Sequence, residues 1–141
     1  MSDLILYVDT SDVREGALDK VKAAIMSLID FAEKNEPRLI AYSAYFSGDD
    51  TKMTVVSVHP DSASLEFHLT VAGPLFRPFV ELVTLSSIHI YGEPSEMVLK
   101  QSHEKARLLG QPATVVVEPL FAGFTRSVEP AEPEVRSAPL S

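Results

Sequence analysis

Residues 38–59 read RLIAYSAYFSGDDTKMTVVSVH. Two β-prone runs are legible in this stretch: Arg38–Ser47, alternating aromatic with small residues, and Lys52–His59, rich in β-branched side chains. The polar turn Gly48-Asp49-Asp50-Thr51 separates them, so they form a hairpin and pair antiparallel. Upstream, LILYVD (Leu4–Asp9) is a short apolar strand. Ser11 and Asp12 then offer N-caps, with Glu15 placed as in a capping box, and Leu18, Val21, Ile25, Leu28 and Ala32 recur at helical steps. The Asn35-Glu36-Pro37 segment stops that helix, because proline disfavours a helical residue before it.

Downstream of the hairpin, Pro60-Asp61-Ser62 opens a second helix through Leu65, Leu69, Ala72, Phe76 and Phe79, which Gly73-Pro74 splits into two pieces. Val83–Tyr91 (VTLSSIHIY) alternates as a fourth strand and ends at Gly92-Glu93-Pro94. The order βαββαβ predicts an α+β, ferredoxin-like domain whose antiparallel sheet carries both helices on one face and leaves the other bare. An appendix follows. Pro94–Leu109 reads as a weakly amphipathic helix through Val98, Ser102, Ala106 and Leu109, with Gly110 as its left-handed stop. Ala113–Glu118 reads as a fifth strand, and Phe121, Gly123 and Phe124 continue it as a hook. Residues 128–141, VEPAEPEVRSAPLS, are proline- and acid-rich, the composition of a disordered tail. The expected organisation is thus one domain over residues 3–127 and a tail over 128–141.

Composition bounds the chemistry. A chain of 141 residues has room for one domain, and no run approaches 18 consecutive apolar residues, so no membrane partner is expected. With no cysteine there is no thiolate nucleophile, disulfide or iron–sulfur cluster. A formal charge of -8 has the wrong sign for nucleic acid. The start MSDLILYVDTSD lacks the basic and apolar regions of a secretory signal, which makes the cytoplasm the expected location. His59, His68, His89 and His103 form no metal-binding spacing, so no metal is expected. No phosphate-loop, dinucleotide, nucleophile-elbow or zincin motif occurs.

The hairpin, the kinked segment HPDSASLEFHLTVAGPLFRPF (59–79) and the fourth strand resemble the dimeric α/β-barrel superfamily, in particular its antibiotic biosynthesis monooxygenase type. The resemblance implies a homodimer whose two sheets bury each other's bare faces, with the fifth strand available to reach the neighbouring subunit. It also implies a cofactor-independent monooxygenase acting on a small aromatic or quinol-like compound in a pocket between the sheet and its own helices. Such chemistry needs a base, a hydrogen-bond donor for the developing oxyanion and dry apolar walls. His68 is the first choice for the base, since imidazole titrates near neutrality, with His89 as a second catalytic group. Tyr7, Tyr42, Tyr45, Phe67, Phe76 and Arg77 are the substrate-binding candidates. Tyr42 and Tyr45 cannot both enter one pocket from a regular strand. Each candidate has a plainer reading: a histidine hydrogen-bonded at a helix boundary, aromatics filling a core, Arg77 in a surface ion pair. The absence of Trp departs from relatives that use a pocket tryptophan and puts haem degradation in doubt. The alternative function is a non-catalytic small-molecule-binding or stress-response protein on the same fold.

Overall fold

The computed structural model describes residues 3–110 and 113–126, and the predicted tail lies outside them. The elements are β1 (Ile5–Val13), α1 (Leu18–Asn35), β2 (Ala41–Phe46), β3 (Lys52–His59), α2 (Ser62–Ala72), a 3-10 stretch (Gly73–Glu81), β4 (Val83–Tyr91), α3 (Glu96–Leu109) and β5 (Thr114–Glu118). Strands lie in the order β2-β3-β1-β4-β5. The first four pair antiparallel, as expected of the ferredoxin-like order, and β5 adds parallel to β4, so the sheet is mixed. β5 therefore lies at the edge of its own chain's sheet, beside β4.

The first strand runs four residues past its predicted end. Ser11 and Asp12 pair with Met53 and Lys52 on β3, and the Asp12 carboxylate accepts from Lys52 Nζ at 2.6 Å. Cross-strand pairing thus takes the residues expected to cap α1, whose N-cap is instead Ala17, with no side-chain bond. The predicted stripe holds, with Val21, Ile25, Leu28 and Ala32 buried. Asp61 caps α2 by accepting from the Ser64 amide, and the helix gives way to the 3-10 stretch at Gly73, ahead of Pro74. Gly110 ends α3 for a different reason from the one its position suggests. Its φ is -147°, an extended value, but a Cβ there would meet the Leu85 carbonyl oxygen at 2.2 Å. Close backbone approach, not a left-handed turn, requires glycine at this point.

β4 contains a bulge. The register to β1 slips between Thr10 and Ser11, leaving Ser86 exposed with its hydroxyl donating to the Thr10 carbonyl. The extra residue shifts the alternation, so that Val83, Leu85, Ile88 and Ile90 all face the helices. All three helices lie on that face: α3 buries Val98, Ser102, Ala106 and Leu109, and contacts α2, the 3-10 stretch and β4. The opposite face carries Leu6, Val8, Val56 and Val58, half-buried, and no helix packs on it among the described residues. No helix of the described residues is long and apolar enough to cross a membrane.

Candidate functional site

Alternation along β1 places Ile5, Tyr7, Asp9 and Ser11 on the helix face, all nearly inaccessible. A carboxylate in that phase needs a partner. Asp9 finds it in Lys105 of α3, with 2.6 Å between Nζ and Oδ2 and both side chains 9% exposed. The ammonium also lies 4.5 Å from the centre of the Phe76 ring and 5.1 Å from that of Tyr7. Burial works against the Lys105 charge, but Asp9 and Tyr7 outweigh it, holding its pKa above the usual lysine value. One helical turn before Lys105, Ser102 accepts a hydrogen bond from the Tyr7 hydroxyl at 3.1 Å. Burial above all keeps that phenol protonated.

These groups border a narrow cleft between the sheet, α1, the 3-10 stretch and α3. Its polar lining is Asp9, Ser11, Tyr42 and Lys105, and its apolar lining includes Ile25, Leu28, Val55, Phe76 and Phe79. The space traced by the centre of a water-sized sphere is about 30 Å³, room for about two waters. An aromatic ring enters only if the walls give way. The Tyr42 hydroxyl carries no hydrogen bond to the described residues. Burial first, and then the charges of Asp9 and Glu36, push its pKa well above the ordinary phenol value.

A second polar group lies behind Tyr42. His68 Nδ1 meets Glu36 Oε1 at 2.7 Å, and both side chains are 2% exposed. The His68 ring contacts Tyr42 edge-on at 5.0 Å and lies 6.4 Å from Phe76. Next to it, 5.5 Å from His68, His59 is held between the hydroxyls of Ser64 and Ser57 at 2.8 and 3.0 Å. Burial, helped by the charge of His68, depresses its pKa to about 3. Glu36 Oε2 is buried without a hydrogen-bond partner.

Of the residues singled out in the sequence, Tyr7, Tyr42, His68 and Phe76 are gathered on the helix face; Tyr42 and Phe76 line the cleft, and Tyr7 and His68 adjoin it. The others are elsewhere. His89 and Tyr45 point to the opposite face, paired with Val8 and Thr54; His89 stacks on Tyr91 at 6.1 Å and lies 3.6 Å from Glu118. Phe67 and Arg77 project to solvent. Asp9, Lys105 and Glu36 were not singled out, although the sequence carries a signal for the first two. Asp9 shares the alternation phase of Ile5 and Tyr7, and Lys105 stands three residues after Ser102 and one before Ala106, beside the buried stripe of α3.

No family model and no curated protein matches the chain. Solved structures do. MupZ from Pseudomonas fluorescens matches with a TM-score of 0.67 at 19% identity, covering 89% of this chain and 91% of its own. SnoaB from Streptomyces nogalater, a cofactor-independent oxygenase, matches with a TM-score of 0.57 at 16% identity, over 67% of this chain and 96% of its own. A Nitrosomonas europaea protein proposed as an antibiotic biosynthesis monooxygenase gives 0.59 at 13% identity, over 66% and 92%. The match to MupZ spans more of this chain than residues 5–91 can supply, so it extends into the α3–β5 part. The chain shares its ferredoxin-like fold with these solved structures.

Proposed function

We propose that the chain is a cofactor-independent monooxygenase for a small aromatic or quinol-like compound bound in the cleft. The observation that carries this reading is the cleft itself, where a few polar groups converge inside apolar walls on the helix side of the sheet. The oxygenase named among its structural relatives supports the direction. In the proposed reaction the substrate anion supplies the electrons to dioxygen. One oxygen atom enters the product and the other leaves as water with two substrate hydrogens, so no external reductant is needed. Tyr42 donates to the developing oxyanion and Phe76 forms a wall. His68, fixed by Glu36, acts as a positioning residue through its contact with Tyr42.

The proposed assembly is a homodimer. Leu6, Val8, Val56 and Val58 form a half-buried apolar sheet face on which no helix packs among the described residues, and in the segment beyond β5 Phe121 and Phe124 are 99% and 78% exposed. A second copy supplies a cover of matching chemistry.

Oxygen uptake across a panel of phenols and quinols, with product detection by mass spectrometry, tests the activity. The expected result is oxygen consumption with a product gaining one oxygen atom and losing two hydrogens. Ligand-induced stabilisation without oxygen consumption identifies a binding protein instead.

A further inference from the structure

We propose that Asp9 and Lys105 form a charge-exchange pair that selects the substrate: a neutral compound with a weakly acidic hydroxyl on a conjugated ring, which passes its proton to Asp9 and leaves its oxyanion on Lys105. The assignment deepens the oxygenase reading and rests on it. The two groups come from opposite walls, Asp9 from β1 and Lys105 from α3, and both line the cleft. Besides the carboxylate, the ammonium has the faces of Phe76 and Tyr7 as neighbours. In such surroundings an unbalanced charge is strongly disfavoured, so the pair works as a neutral unit.

Charge balance then discriminates among ligands. A carboxylate brings a second anion to one cation, and an amine brings a second cation to one carboxylate; each leaves an unmatched charge in a mostly apolar cleft. A neutral hydroxyl compound leaves none. Its O–H bond breaks, the proton bonds to a carboxylate oxygen of Asp9, the electron pair stays on the substrate oxygen, and Lys105 passes from one anion to the other. Tyr42, held protonated by burial and by its anionic neighbours, donates a second hydrogen bond to that oxygen. His68 is less suited to the exchange, because its Nδ1 is engaged by Glu36 and its ring does not line the cleft. The same exchange undoes the tie between Asp9 and α3, which a ring needs in order to enter so small a space.

Nitrophenols read this directly, since the phenolate is coloured. At about one pH unit below each phenol's own pKa, binding to the full chain is expected to raise the phenolate-to-phenol ratio at least about tenfold, one unit of pKa shift. The double variant Asp9→Asn/Lys105→Met, which has no charge to leave unpaired, binds the phenol but leaves it neutral, whereas Asp9→Asn alone leaves Lys105 unmatched and lets nitrobenzoates bind as well as nitrophenols. To the unsubstituted protein nitrobenzoates bind at least about tenfold more weakly than nitrophenols, reflecting the unmatched charge. Bound phenols that keep the neutral spectrum, an unchanged phenolate signal in Asp9→Asn/Lys105→Met, or nitrobenzoates that bind the unsubstituted protein as well as nitrophenols would each overturn the exchange while leaving the aromatic-compound site standing. Failure of every phenol and quinol to bind overturns that site and the exchange with it.

Discussion

The two faces of the sheet solve opposite problems. On the helix face the backbone alternation drives polar groups inward, and most are matched locally: Asp9 by Lys105, Tyr7 by Ser102, one Glu36 oxygen by His68 and His59 by two serines. On the other face the side chains are mainly small, β-branched or apolar, and the described residues leave them without a partner layer. A polar group can be satisfied one bond at a time, whereas apolar area is satisfied only by another surface. The first face is therefore where one chain can build a site, and the second is where a companion is proposed.

The sharpest way to break this contrast is to remove half of a matched pair. Lys105→Met leaves the Asp9 carboxylate buried and alone, with an expected loss of about 3–5 kcal/mol in urea unfolding; adding Asp9→Asn restores most of it. A double variant as unstable as the single one would mean that Lys105 acts by packing rather than by charge. On the bare face, Val8→Asp places a charge where a second copy is proposed to sit, with an expected weakening of association of about 2 kcal/mol, roughly thirtyfold in Kd by sedimentation. An unchanged Kd would move the interface elsewhere.

A smaller effect follows from His59. Its folded pKa of about 3 lies below the unfolded value of about 6.5, so between these limits the unfolded chain binds more protons. Stability is then complete above about pH 6.5 and falls by up to about 1.4 kcal/mol per pH unit as the pH drops toward 3. In His59→Gln this slope flattens by one proton in urea titrations between pH 4 and 6. The smallest effect belongs to the exposed Lys52–Asp12 pair, 56% and 52% accessible, where Asp12→Asn leaves the urea-unfolding midpoint essentially unchanged.

The element order was legible because hydrophobic alternation and helical stripes survive in the sequence, as with the stripe from Val21 to Ala32 and the break at Gly73-Pro74. Boundaries failed where tertiary pairing outweighed a local signal. Asp12 has the makings of a helix cap, but Lys52 across the strand takes its carboxylate. Gly110 looks like a helix stop and is required by a strand neighbour far away in sequence. The bulge at Ser86 is written as a change of phase in VTLSSIHIY, from the odd positions of Val83 and Leu85 to the even ones of Ile88 and Ile90. The site was half visible. Tyr42, His68 and Phe76 stand out by residue type, whereas Asp9 and Lys105 read singly as surface charges until β1 and α3 bring them together across 96 positions.

Whether the bare sheet face has a companion decides the assembly, and light scattering of the full chain across dilution measures it most directly. Burial of that face by a second copy gives a particle of twice the 15.4 kDa chain mass that persists at low micromolar concentration. A folded species of one chain mass at all concentrations would contradict it.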